Sequence, residues 1–267
     1  MENILKNLIH IAKKAGEEIL NVYQLDFKVE YKDDNSPLTQ ADKNSHDIIV
    51  QGLKKISDYP ILSEEGKEVS FEERKNWDYF WMIDPLDGTK EFINKNGEFT
   101  VNIALIYKNR PILGIVYAPA LDILYYGEIG KGAYKVQNGK EEKLPISYRR
   151  EKNKIRIVAS KSHLNEETSK FIKNLEKYYD TVETTSIGSS LKICLVAEGK
   201  ADIYPRLAPT MEWDTAAAHA ILNAAGGKMV EYKKTENLIY LKQLPELKYN
   251  KENLLNPSFV ALRADVF

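Results

Sequence analysis

The stretch Trp77-Asp78-Tyr79-Phe80-Trp81-Met82-Ile83-Asp84-Pro85-Leu86-Asp87-Gly88-Thr89-Lys90-Glu91-Phe92 decides how the rest of the chain is read. Residues 77–83 are mostly apolar and aromatic and predict a buried strand. Proline cannot donate to a strand ladder, so Pro85 predicts that the strand stops at Asp84. Leu86 then separates that turn from a second carboxylate, Asp87. Gly88 lets the backbone come close to a ligand, and Thr89 offers a hydroxyl where a short helix can begin. Two acids on one turn followed by Gly-Thr suit a hard cation and a phosphate bound side by side.

Working upstream, Ile4, Leu5, Leu8, Ile11, Ala12, Ala15, Ile19 and Val22 form one stripe and predict an amphipathic helix over 2–24. Asp33-Asp34-Asn35-Ser36-Pro37 is turn chemistry. Thr39, with Asp42 three residues on, predicts the capped start of a helix running through Ile56. Residues 59–63 predict a short strand that delivers Glu64 and Glu65 at its end. The charged residues 67–76 predict a surface excursion.

Downstream, 99–107, 112–117, 123–127 and 133–136 read as strands punctuated by Asn109-Arg110-Pro111, Ala118-Pro119-Ala120 and the turn at 128–132. That is an antiparallel meander, which makes the first half α+β. The charged stretch 137–153 marks a boundary without a Gly/Ser linker. It divides an α+β subdomain, 1–145, holding most candidate metal ligands, from an α/β subdomain, 146–267, holding Asp214 and the specificity segments. In the second, strands at 155–159, 181–185 and 201–204 alternate with helices at 166–179, 188–198 and 213–225. Leu191, Cys194 and Leu195 face inward, and Gly226-Gly227 stops the last helix.

The chain has 267 residues, 43% hydrophobic and 29% charged, enough for a sizeable core. A net charge of −1 gives no basic field, so nucleic acid is not an expected partner. One cysteine, Cys194, excludes an internal disulfide or a thiolate cluster and fits a reducing compartment. Residues 1–6 lack the apolar run of a signal peptide, and no stretch is long and apolar enough to span a bilayer. The expectation is a cytoplasmic protein, monomer or homodimer, compatible with peripheral association on a membrane.

Glu64, Asp84, Asp87 and Asp214, with Asp42 as a fifth, share one placement at a strand end or helix start. Asp214 lies in Pro209-Thr210-Met211-Glu212-Trp213-Asp214-Thr215-Ala216-Ala217. A lone acid there is more often a helix cap or dipole partner. Gathered around a Gly-Thr turn, however, these acids make an all-oxygen site of the kind magnesium takes, together with substrate phosphate. Such an ion acidifies bound water and neutralises charge on phosphoryl oxygens. Phosphoryl transfer asks little more than that and positioning. No Gly-x-Ser-x-Gly or Gly-x4-Gly-Lys-Ser/Thr is present, which removes the serine-hydrolase and P-loop readings.

Asp84-Pro-Leu-Asp-Gly-Thr-Lys-Glu-Phe, the upstream Ser63-Glu64-Glu65 and the downstream Trp213-Asp214-Thr-Ala-Ala resemble the lithium-sensitive, magnesium-dependent phosphatases of the inositol monophosphatase superfamily. The likeness is greater to its CysQ-type 3′(2′),5′-bisphosphate nucleotidases and spans nearly the whole chain. It includes Asn35-Ser-Pro-Leu-Thr-Gln-Ala-Asp42, Asn96-Gly-Glu-Phe-Thr-Val-Asn-Ile-Ala-Leu105, Thr184-Thr-Ser-Ile-Gly-Ser-Ser-Leu-Lys192 and Leu195-Val-Ala-Glu-Gly199. The resemblance implies a layered α-β-α-β-α sandwich and two magnesium ions. Glu64, Asp84 and the Leu86 carbonyl would hold one, and Asp84, Asp87 and Asp214 the other. Asp42 would stand behind them or beside a weak third ion. Glu64 and Thr89 would orient and deprotonate the attacking water, and the amides of Gly88 and Thr89 would receive the phosphate.

Substrate choice falls to the second half. The resemblance places His163, Ser189, Lys192 and Arg206 against a nucleotide and its second phosphate, and a bisphosphate does need cations beyond the metals. Taken singly, His163 reads as a cap or surface residue and Lys192 as a solvated one. Arg206-Leu207-Ala208 stands where inositol phosphatases tend to place an acid for sugar hydroxyls. The expected reaction is removal of the 3′-phosphate from adenosine 3′,5′-bisphosphate, with 3′-phosphoadenylyl sulfate as a second candidate. An inositol-1-phosphate or sugar-phosphate phosphatase is the alternative enzyme, and a metal- and nucleotide-binding regulator the non-enzymatic one. Cys194, His10, His46 and His219 read as structural.

Overall fold

The computed structural model describes residues 2–25, 29–31, 37–146, 151, 153–159, 165–233 and 238–266. The N-terminal stripe forms α1 (Glu2–Tyr23), followed by a two-stranded antiparallel sheet of β1 (Val29–Tyr31) and β2 (Pro37–Thr39). Thr39 caps α2 (Gln40–Lys54): its hydroxyl accepts the Ala41 amide at 3.2 Å, while Asp42 Oδ2 accepts the Thr39 amide at 2.8 Å. That reciprocal pair is a capping box, as the Thr-x-x-Asp spacing predicts.

The next elements are β3 (Ile61–Ser63), α3 (Phe71–Arg74), β4 (Tyr79–Asp87), α4 (Thr89–Ile93), β5 (Thr100–Tyr107), β6 (Arg110–Ala118), β7 (Ile123–Glu128), β8 (Gly132–Gln137) and β9 (Lys140–Leu144). Their strands build one seven-stranded sheet in sequence order, antiparallel throughout except for the parallel pair β3–β4. The second half contributes β10 (Lys154–Ala159), α5 (Glu166–Leu175), β11 (Thr181–Ser186), α6 (Leu191–Glu198), β12 (Ile203–Arg206), α7 (Ala216–Ala224), β13 (Lys228–Glu231) and β14 (Phe259–Leu262). Here the sheet order is β11-β10-β12-β14-β13, with β10 parallel to β11 and β12.

Successive side chains of a strand point to opposite faces. On β4, Trp81 and Ile83 turn outward to α1 and α2, while Phe80 and Met82 turn inward to α6 and α7. A strand covered on both faces reads as a continuous apolar run, which is why 77–83 shows no alternation. The inner helices meet the second sheet through Val158, Tyr204, Phe259 and Ala261, and α5 covers its far face with Phe171 and Leu175 against Ile157 and Val260. The layers are therefore α-β-α-β-α. The Val, Ile, Leu, Met and Phe side chains among them each contribute roughly 1.5–3 kcal/mol of transfer free energy. Where β6 crosses α7, a Cβ on Gly114 would stand 2.0 Å from the Ala217 carbonyl oxygen, so only glycine fits.

Several expectations change. The β4 strand continues past Pro85 to Asp87, because its register slips between Asp84 and Asp87 and the proline sits where no ladder bond is needed. The charged run Lys140–Leu144 is an edge strand, β9, rather than part of a junction; charge on an edge guards against further pairing. The excursion at 67–76 holds the short helix α3, and Arg74 is buried, donating to Asn250 Oδ1 and to the carbonyls of Lys251 and Glu252. The helix expected from 188 begins only at Leu191, and the one expected from 213 begins at Ala216. The strands β13 and β14 carry no sequence signal strong enough to predict them and appear only in the structure. No helix among the described residues is long and apolar enough to cross a membrane.

Candidate active site

The acids converge because of strand register. β3 and β4 run parallel with Ser63 opposite Ile83, so Glu64 and Asp84 follow side by side; the Glu64 amide donates to the Ile83 carbonyl at 3.2 Å. On the other side of β4, Asp84 pairs with Asn102 and Asp87 with Thr100. Within the slip between them, the Leu86 amide donates to Asp84 Oδ1 at 3.0 Å and the Pro85 carbonyl accepts Ser45 Oγ at 2.7 Å. Asp214 arrives from the turn before α7. It is not the helix cap: Thr215 holds that position, and Asp214 Oδ2 instead accepts the Met211 amide at 2.9 Å. Carboxylate oxygens of Glu64, Asp84 and Asp214 all lie within 4.8 Å of one another.

So much negative charge away from water is unfavourable unless a cation or protons neutralise it. Burial, and then Glu64, Asp87 and Asp214, hold Asp84 well above the usual carboxylate range. Burial followed by Asp87 and Glu64 does the same to Asp214. Burial pushes Asp87 up to about 6, against the pull of the Lys192 cation and the Ser190 amide. Asp42 is raised by burial, with its bonds to Thr39 opposing. A donor set made only of carboxylate oxygens, crowded enough to take up protons when no cation is near, fits a hard divalent metal.

Gly88, with φ +92°, turns the chain into α4. Thr89 opens that helix, its hydroxyl 3.4 Å from both Asp42 Oδ1 and the Leu86 carbonyl. Beside this turn opens a cavity of about 120 Å³ lined by Asp87, Gly88, Ser189, Lys192, Arg206 and Asp214 among others. Lys192 is buried on α6, which lowers its pKa while Asp87 opposes; its amine donates to the Ile187 carbonyl at 3.3 Å and sits 5.9 Å from the Tyr204 ring centre. Arg206, at the end of β12, donates through Nη2 to the Pro209 carbonyl at 2.7 Å. Its Nε and the Ser189 hydroxyl are buried with no partner among the described residues.

The fold thus brings together Glu64, Asp84, Asp87, Asp214, Asp42 and Thr89 on one side, and Ser189, Lys192 and Arg206 on the other. His163 lies outside the described residues. Glu91 and Tyr204 also line the cavity and were not singled out from the sequence. Glu91, two residues beyond Thr89 on the same helical turn, carried a usable signal; Tyr204 carried none, because a tyrosine in an apolar strand reads as core.

A corner acidic enough to need a divalent cation, opening on a cationic pocket, has the chemistry of a metal-assisted phosphatase. The model of the inositol monophosphatase family matches residues 1–262. The chain is 44% identical over 259 residues to a 3′(2′),5′-bisphosphate nucleotidase, CysQ, of Salmonella typhimurium, covering 96% of this chain and 98% of that one. The crystal structure of CysQ from Bacteroides thetaiotaomicron, a bacterial member of the same family, superposes with a TM-score of 0.86 at 45% identity, covering 100% of this chain and 99% of that one. An IMPase of Thermotoga maritima shares the fold at a TM-score of 0.75 and 24% identity, covering 99% of this chain and 93% of that one. The chain belongs to the inositol monophosphatase family.

Proposed function

We propose that the protein is a magnesium-dependent 3′(2′),5′-bisphosphate nucleotidase that converts adenosine 3′,5′-bisphosphate to AMP and phosphate, with 3′-phosphoadenylyl sulfate as a second candidate substrate. One observation carries the reading. Asp87 and Asp214 belong to the acid corner and also line the cavity whose other wall bears Lys192 and Arg206. A single phosphate ester needs only the acid corner and its metal, whereas a bisphosphate also needs the cations. The 44% identity to a curated nucleotidase supports the same choice.

We assign one magnesium to Glu64, Asp84 and the Leu86 carbonyl, a second to Asp84, Asp87 and Asp214, and a weaker third to the neighbourhood of Asp42. Bound there, magnesium would make a nearby water more acidic and offset the charge on the phosphoryl oxygens. Glu64 and Thr89 orient the attacking water and take its proton. Asp42, held by Thr39, fixes the Thr89 hydroxyl for that task. The amides of Gly88 and Thr89 face the phosphate that is cleaved. Ser189, Lys192 and Arg206 hold the nucleotide and the phosphate that stays, joined by His163 on the strength of the family likeness. A reducing, cytoplasmic setting suits the buried thiol of Cys194.

Phosphate release from adenosine 3′,5′-bisphosphate and from inositol 1-phosphate, measured side by side in magnesium, tests the reading. The nucleotide is expected to be the far better substrate. A preference for inositol 1-phosphate makes the protein a sugar-phosphate phosphatase, and tight nucleotide binding with no release makes it a binding protein.

A further inference from the structure

Ser190 stands between Ser189, whose φ is +48°, and the first turn of α6, which carries Lys192. Its amide donates to Asp87 Oδ2 at 2.5 Å, and its hydroxyl donates to Asn102 Oδ1 at 2.9 Å. With that proton committed, the Thr100 hydroxyl, also 2.9 Å away, is the donor to Ser190 Oγ. Thr100 and Asn102 are the β5 partners of Asp87 and Asp84 across the register slip. Ser190, Thr100 and Asn102 are 4%, 0% and 1% exposed. One serine is thus tied through its main chain to a carboxylate of the acid corner, and through its side chain to the two strand positions that back that corner.

A neighbouring tether acts in the same direction. The Gly188 amide donates to Glu98 Oε2 at 2.8 Å, and a Cβ on Gly188 would fall 2.7 Å from the Glu98 carbonyl oxygen. Residues 188–190 are therefore clamped at several points to the seven-stranded sheet and to the segment that leads into β5. Core stability does not call for a polar trio here, since Leu191, Ile193 and Cys194 beside it pack as ordinary apolar core. Whichever way the Asn102 amide is turned, one of its polar atoms stays without a partner, which an apolar trio would avoid.

We propose that Ser190, held by Thr100 and Asn102, is a positioning residue that makes the metal corner and the cationic wall a single unit. The bond that holds one oxygen of Asp87, leaving the other to face a cation, also sets the place of Ser189 and Lys192 beside the nucleotide. Groups that orient a ligand in this way tune its affinity for the metal. Cation and nucleotide binding then reinforce each other, and by linkage the factor is the same in both directions. Only the nucleotide half of this inference rests on the nucleotidase reading.

The experiment is calorimetric titration of the full chain with magnesium and with AMP, each alone and in the presence of the other. Thr100→Val keeps the shape and drops the hydroxyl, Thr100→Ser keeps the hydroxyl, and Ser190→Ala removes the centre of the trio. Thr100→Val and Ser190→Ala are expected to bind magnesium roughly tenfold or more weakly. Both should bring the magnesium–AMP coupling factor close to one, while Thr100→Ser keeps affinity and coupling near those of the parent. A merely structural trio would lower the melting temperature and leave both quantities unchanged, and that result overturns the proposal. Ser190→Ala alone decides the matter if Thr100→Val does not fold. A parent protein that binds magnesium but not AMP refutes the nucleotidase reading, and weakened magnesium binding in the variants still supports the clamp.

Discussion

The corner that gathers Glu64, Asp84 and Asp214 reaches, through Asp214 and Asp87, the cavity whose wall carries Lys192 and Arg206, yet corner and wall are held in different ways. The corner stands on regular strands: a parallel pair brings Glu64 beside Asp84, and a slip in one ladder aims Asp84 and Asp87 together. Its charges repel one another, and burial together with that repulsion raises Asp84 and Asp214 well above the usual carboxylate range. The wall comes from the start of a helix and the end of a strand in the other sheet, and its cations have backbone carbonyls for company. A site of like charges is under strain that a bound cation relieves. A buried lysine and a half-buried arginine await an anion. One molecule that brings both, a magnesium-bound bisphosphate, satisfies the two regions at once.

Breaking the corner has the larger expected effect. Asp84→Asn should lower phosphate release by about 10³-fold, the upper end for one electrostatic group. The melting temperature in chelator should hold or rise, because one of several crowded carboxylates is gone. Near-parental turnover in that variant removes Asp84 from the chemistry. Breaking the wall should act on binding instead. Lys192→Met should raise KM for adenosine 3′,5′-bisphosphate about 10- to 100-fold, the value of a lost charged hydrogen bond, and change kcat far less. An unchanged KM would place the second phosphate elsewhere.

The smallest effect sharpens the electrostatic contrast. The folded pKa of Asp87, about 6, is above its ordinary 3.8. The folded, metal-free protein therefore binds more protons than the unfolded chain in that window. Stability from this group is complete below 3.8 and is lost as pH rises through about 6. The raised Asp84 and Asp214 act in the same direction. Melting temperatures in chelator should fall as pH climbs through that range, and magnesium should flatten the trend. A chelated protein that becomes steadily more stable up to neutral pH contradicts the crowding of the corner.

Much of the corner is legible in the sequence. Asp84, Asp87, Gly88 and Thr89 are neighbours in the chain, and turn chemistry at a strand end is a local signal. The capping box at Thr39 and Asp42 is likewise a spacing of three residues. The strand's continuation through Pro85 was not legible, because it depends on which ladder bonds β5 needs. β9 was hidden by its charge, since an edge strand of lysines and glutamates has no apolar face to show. Arg74 looked like surface until the loop at 250–252 supplied carbonyls to bury it.

By itself the sequence determined the kinds of groups present: acids at strand ends, a Gly-Thr turn, apolar stripes at helical spacing and paired-face strands that demand a layered core. These are set by neighbours a few residues apart, where periodicity and backbone sterics act directly. Only the tertiary structure decided that Asp214 joins Glu64 and Asp84 within 4.8 Å, that Lys192 is buried rather than solvated, and that Ser190 grips Asp87. Those contacts join residues far apart in the chain, and they exist because two sheets close on α6 and α7 and leave no other place for these side chains to go.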